Sequence, residues 1–231
     1  QASANQIKNI NLSPNLALST VNVFYNLLTN IDVQKNTALT YLNIEKNQIT
    51  TLDVSSNTAL KQLYTPQNKL SVLELSKNTE LTVVYCHNNF IRTLDLSKNT
   101  KLSDIVVYNN KLVNLNIKNG KNTLLTDINA TVNPDLTCIQ VDDVDYSNKN
   151  WSTKKDATAT FSLEACPIVV PYTLIPDSKF EDKLIDLQID KDGKNGKVAT
   201  MSIATLTTLD VSKSNIADLT GIQDFNLLTT L

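Results

Sequence analysis

Few residues in this chain could do chemistry. In 231 residues there are one histidine and three cysteines. His87 follows Cys86, and no constellation of serine, cysteine or aspartate surrounds it in sequence. A metal site needs three or four converging ligands, and His87 brings none with it. The most metal-like stretch is Asp190-Lys-Asp192-Gly193-Lys-Asn195-Gly196. Asp190, Asp192 and Asn195 offer oxygens to calcium, but the glutamate that closes an EF-hand loop is missing. A plain tight turn is the competing expectation. Asp142, Asp143 and Asp145 form a second acidic group, either a cation site or a solvated end. No phosphate-binding loop and no carboxylate pair at a pocket stand out, which argues against an enzyme. Tyrosine is the residue in supply. Of seven tyrosines, five (Tyr25, Tyr41, Tyr64, Tyr85 and Tyr108) fall in one set of segments with Phe24 and His87. Tyrosine gives rigid contact area with a hydrogen-bonding tip, the chemistry of recognition. The alternative is stacking that only stabilises a sheet.

What positions these residues is a repeat. Leu39-x-x-Leu42-x-Ile44-x-x-Asn47 is followed by Ile49-x-x-Leu52-x-Val54-x-x-Asn57. The closing asparagines stand at 5, 15, 26, 36, 47, 57, 68, 78, 89, 99 and 110, so spacings of 10 and 11 alternate. A fixed period of 21 predicts a solenoid. The last two apolar residues of each half alternate with polar ones, the period of a strand. At about 4.8 Å per coil, residues 1–141 predict a rod of roughly 30 Å. Each asparagine amide is placed to bond backbone groups of a turn that would otherwise be buried unpaired.

The two halves differ. One is monotonous: Leu52-Asp53-Val54-Ser55, Leu73-Glu74-Leu75-Ser76 and Leu94-Asp95-Leu96-Ser97. Its stacked acids would repel, and Lys35, Lys77 and Lys98 are expected to offset them. The other half varies outward. Tyr64 and Tyr85 share one row, and Phe24, Glu45, Pro66, His87 and Tyr108 share another. Inward, Cys86 shares its place with Val23, Ile44, Thr65, Val107 and Ala130, as a small buried residue. Two inserted residues at Lys118–Asn122 interrupt the period and predict a longer turn.

This pattern, over residues 1–141, resembles the leucine-rich repeat family, in the 21-residue form of secreted Bacteroidetes proteins and internalin-like proteins. The resemblance implies a curved solenoid with a parallel sheet on one face. Here both halves carry the strand pattern, so the fold expected is β-rich, with two strand-like segments per coil.

After Leu136-x-x-Ile139-x-Val141 the pattern stops. Residues 142–166, beginning CIQVDDVDYSNKNW from Cys138, resemble the C-terminal cap of such domains. An open solenoid end must be covered, and Trp151 and Phe161 are the candidates. A Cys138–Cys166 disulfide is expected to staple the cover, with Cys86 free. Residues 167–171 (Pro-Ile-Val-Val-Pro) predict a stiff linker.

Residues 172–231 then look like a second beginning. IPDSKFEDKLIDLQIDKDG resembles the N-terminal cap of the same family, with Ser178 and Glu181 as a capping box. Leu206-x-x-Leu209-x-Val211 restarts the repeat. Joined end to start, Leu228-Thr229-Thr230-Leu231 and Gln1-Ala2-Ser3-Ala4-Asn5 spell one intact half-repeat. This predicts a period of a head-to-tail array or a permuted domain, with possible head-to-tail self-association of copies.

A net charge of −2 without a basic block argues against nucleic acid. No apolar run reaches ~18 residues, so no spanning helix is expected. The start at Gln1 suggests a mature or excised fragment. A cysteine pair plus one buried thiol suits a secreted or cell-surface protein. The resemblance implies adhesion and export by the type IX route. The expected function is non-enzymatic recognition of a protein or glycan ligand, without cofactor unless calcium. A structural spacer is the alternative.

Overall fold

The computed structural model describes residues 1–167 and 172–231. The linker expected at 167–171 therefore lies outside the described residues apart from Pro167. Two compact units divide after Pro167.

In the first unit every strand is three residues long. In chain order they are β1 (Thr20–Asn22), β2 (Tyr41–Asn43), β3 (Gln62–Tyr64), β4 (Val83–Tyr85), β5 (Thr93–Asp95), β6 (Asp104–Val106), β7 (Asn114–Asn116), β8 (Asp127–Asn129), β9 (Cys138–Gln140) and β10 (Thr160–Ser162). The main sheet runs β1-β2-β3-β4-β6-β8, all parallel. Partners are 21 residues apart, as Leu42 with Leu63, until β6 meets β8, where Ile105 faces Ile128. That longer step absorbs the two inserted residues. The inserted turn follows β7 and is tied down by Asp142, whose carboxylate accepts from the amides of Gly120 and Asn122, both at 2.9 Å. It belongs to the second sheet's turns, away from the tyrosines.

The second sheet, β5-β7-β9-β10, is confined to the later coils. Residues 31–33, 52–54 and 73–75 hold the equivalent places without forming strands. Leucine, isoleucine and valine at the inward positions make one continuous core, and Val23, Ile44, Thr65, Cys86, Val107 and Ala130 all lie in it, buried.

Each coil reverses twice, in different ways. At the end of the main-sheet strand a residue enters the left-handed region just before the asparagine: Ala4, Tyr25, Lys46, Gln67, Asn88, Asn109 and Val132, with φ between 51° and 58°. At the other reversal two turns follow one another, as Asn57 N donates to Val54 O and Leu60 N to Asn57 O.

The end of the unit is covered as expected, and extended too. Helix α1 (Val144–Trp151) is capped by Asp143, which accepts from Tyr146 N at 2.9 Å. Trp151 is buried against Phe161, 6.3 Å between rings, and Tyr146, 5.5 Å. Phe161 lies on β10, so the cover carries a further parallel strand. Cys138 and Cys166 form a disulfide, with Cα atoms 5.7 Å apart.

In the second unit β11 (Tyr172–Leu174) pairs antiparallel with β12 (Lys197–Ala199), and α2 (Ser178–Asp186) packs Phe180 and Leu184 into its own small core. The expected capping box is displaced by one residue. Asp177 is the cap and accepts from Lys179 N and Phe180 N. Its other oxygen takes the amides of Ala217 and Asp218, and these bonds hold its carboxyl below the usual range. Glu181 turns instead to the loop after the helix and accepts from Asn195 N and Gly196 N. Gly221 is obligatory: its φ is 104°, and a Cβ there would meet Leu174 O at 2.6 Å. A similar coil contact follows: Thr207 O accepts from Thr229 N and Thr230 N, as Ser19 O accepts from Thr40 N and Tyr41 N, but with one more residue in the coil.

Candidate functional site

The outer face of the main sheet carries three rows of side chains, because alternate residues of a strand point to opposite faces. The first row is Thr20, Tyr41, Gln62, Val83, Asp104 and Asp127; the second is Asn22, Asn43, Tyr64, Tyr85, Val106 and Asn129. Phe24, Glu45, Pro66, His87, Tyr108 and Thr131 follow two residues further on.

Five of the seven aromatic candidates form one continuous file. Ring centroids are 5.4 Å apart for Tyr41–Tyr64, 5.2 Å for Tyr64–Tyr85, 6.4 Å for Tyr85–His87 and 4.4 Å for His87–Tyr108. The last pair is stacked, and Tyr64–Tyr85 meets edge to face. Tyr41 joins from a different row, by reaching diagonally across the strands. Phe24 and Tyr25 pair separately at 6.5 Å. Tyr25 corrects the expectation that all seven share a sheet face. It is a left-handed turn residue, and Lys46 of the next coil lies 5.8 Å from its ring.

Burial pushes the phenols of Tyr64 and Tyr85 up, with Asp104 adding to both. Burial also pushes the His87 imidazole down, so it is neutral near pH 7. The file therefore offers uncharged rings with hydroxyl tips. Cys86 points the other way, into the core, where burial pushes its thiol up to about 12. A thiol held neutral in this way is inert. Sequence reasoning passed over the polar neighbours of the rings: Asn43, Gln62, Asp104, Asp127 and Asn129. The period of 21 places them in the same rows and could have found them.

The opposite face of the coils does not use lysines to offset its acids. Among the described residues no ion pair joins Lys35, Lys77 or Lys98 to them. Each acid instead accepts the amide two residues on: Asp32 from Gln34, Asp53 from Ser55, Glu74 from Ser76 and Asp95 from Ser97. One oxygen of each carboxylate is thereby engaged in a local turn.

The metal candidates meet only in part. Asp190 is buried, with one oxygen accepting from Asp192 N at 3.3 Å and the other without a partner. Asn195 is held through its amide by Glu181 and accepts from Lys197 N. Among the described residues no group of three or more His, Cys, Asp or Glu is arranged to hold a metal ion. Burial and Asp192 push the Asp190 carboxyl up to about 6. Asp142 and Asp143 are engaged in the turn and helix cap already described.

Among solved structures, internalin C2 of Listeria monocytogenes superposes with a TM-score of 0.54 at 20% identity, over 69% of this chain and 69% of that one. The fold is that of the leucine-rich repeat proteins. The functional domain of InlJ from the same organism, described as including a cysteine ladder, matches at 29% identity with a TM-score of 0.44. It is matched over 59% of this chain and only 37% of its own length. A leucine-rich repeat protein of Leptospira interrogans matches at 18% identity over 68% of this chain and 41% of that one, with a TM-score of 0.46. No protein-family model and no curated protein matches the sequence. Among the described residues, no helix is long and apolar enough to cross a membrane.

Proposed function

We propose that this leucine-rich repeat chain is a non-enzymatic recognition module, which holds a protein or glycan against the aromatic file of its main sheet. The observation that carries this is the contrast between the two faces of the coils. One repeats a self-satisfied acid–serine turn in successive coils. The other varies its outward residues and sets five rings in contact across four strands. Stacking for stability alone would not require the variation. The disulfide fits a secreted or surface location, and the 21-residue period fits the Bacteroidetes-like type, with adhesion as the role. The half-repeat spelled by Leu228–Leu231 with Gln1–Asn5 supports tandem copies that stack head to tail; sedimentation against concentration tests that part.

The direct test is Tyr64→Ala with Tyr85→Ala, assayed on a glycan array and a panel of immobilised extracellular proteins. Binding by the parent chain that disappears in the double variant, with thermal unfolding little changed, is the expected result. Binding that survives the double variant would overturn the aromatic site. No binding by the parent would favour a spacer.

A further inference from the structure

We propose that the aromatic face takes a lysine- or arginine-bearing peptide segment of a protein partner, with Asp104 and Asp127 receiving the cationic head over the Tyr64–Tyr85 rings; this rests on the recognition reading above. The outward rows of the main sheet contain Glu45, Asp104 and Asp127 and no lysine or arginine. Asp104 and Asp127 are direct partners on adjacent strands. Like charges placed directly opposite on a sheet destabilise it, yet among the described residues neither aspartate has an ion pair. Lys61 stands one residue outside the rows, on the side of Glu80, and Lys46 is in the turn beside Tyr25.

The acids of the opposite face each accept a serine or glutamine amide of their own turn. Among the described residues the Asp104 carboxylate accepts only from the hydroxyl of Ser103, and the Asp127 carboxylate accepts from none. Their remaining lone pairs face the same side as the rings. A guanidinium or ammonium group over a tyrosine is attracted by the ring quadrupole, and the carboxylates in the next two coils add charge to that attraction. The geometry suits a chain better than an ion. From Tyr41 to Asp127 is four strand spacings, roughly 19 Å, the span of about six extended residues.

The test uses the whole chain and a fluorescent nonapeptide of alternating Lys and Gly, another with Arg, and the same peptide with Glu, read by anisotropy. The Lys and Arg peptides should bind and the Glu peptide should not, with affinity falling as salt is raised. Asp104→Asn with Asp127→Asn should weaken binding tenfold or more, and Tyr64→Ala with Tyr85→Ala should do so as well. Asp53→Asn with Asp95→Asn, on the opposite face, should leave it unchanged. Circular dichroism checks that each variant is folded, and the Asp104/Asp127 variant should unfold no earlier than the parent. Equal loss in the Asp53/Asp95 variant would overturn the inference, since any acidic surface would then serve. Equal binding of the Glu peptide would overturn it too. A neutral oligosaccharide that binds, and is lost with the tyrosines but not with the aspartates, would overturn the cationic partner and leave the recognition reading standing. If no peptide binds and no ligand depends on the tyrosines, both fall.

Discussion

Asn68 and Asn78 stand ten residues apart, both buried, each closing one half of the same coil. Their side chains are used differently. Asn68 Nδ2 donates to Ile44 O of the preceding coil and to Thr65 O and Pro66 O of its own, while its Oδ1 accepts from Ile49 N at 3.0 Å. Asn47, Asn89 and Asn110 repeat this. Asn78 Nδ2 donates backwards to Val54 O and Asn57 O, both at 2.9 Å, but its Oδ1 meets no donor. Asn36, Asn57 and Asn99 share that orphan oxygen. One ladder thus satisfies both ends of its amide beside the aromatic sheet. The other satisfies one end, on the side where the earlier coils form no strand. The lesson is that the two asparagine series are not interchangeable struts. The first locks the register of the face that carries the tyrosines.

Asn68→Ala or Asn89→Ala should show the largest effect. Each leaves a buried amide and several carbonyls unpaired, at a cost of about 2–3 kcal/mol in urea denaturation. The exposed change Lys77→Ala, as a control, should stay within about 0.5 kcal/mol. Asn78→Ala should cost less, about 1–2 kcal/mol, because losing its donors is partly offset by removing the orphan Oδ1. Equal costs at 68 and 78 would break the comparison.

The same contrast can be sharpened in the second unit, where the orphan oxygen belongs to Asp190 and can take up a proton. Its folded carboxyl lies near 6, above the ordinary 3.8. Its protonation therefore adds stability that is complete below the ordinary value and is lost as pH rises through about 6. Asp190→Asn should flatten the dependence of unfolding on pH between 4 and 7, a change on the order of 1 kcal/mol. Stability that still falls over that range in the variant would break the assignment to Asp190. The smallest effect should come from the left-handed residue that accompanies only the satisfied ladder. Val132 is β-branched at φ 58° and exposed. Val132→Gly should gain up to about 1 kcal/mol, whereas Lys77→Gly in the other turn should lose about 0.5 kcal/mol. Loss at both would show that the left-handed turn is not strained.

The period of the asparagines carried the coil, its inward rows and the end of the array into view, because burial every second residue writes itself into residue type. The tyrosine file was legible for the same reason. The two ladders were not, since both read as asparagine at like spacing and differ only in which backbone amides come within reach. The left-handed turns were hidden because Tyr25, Lys46, Gln67 and Val132 occupy them instead of glycine. Asp177 and Ser178 are both good caps, and only the packing of α2 on residues 217–218 selects the aspartate. Lys35, Lys77 and Lys98 suggested charge pairing, but amides two residues away are closer competitors for the acids.

The disulfide gives the first unit a direction. Coils in such a stack touch only their neighbours, so opening proceeds from coil to coil like a zipper. The Cys138–Cys166 cross-link, 28 residues in span, clamps the cover over one end. Amide exchange should then be slowest in β8, β9 and β10 and quicken coil by coil toward β1. A pull on the chain from the β1 side would peel turns away one at a time and reach the last tyrosines only after the first had been lost.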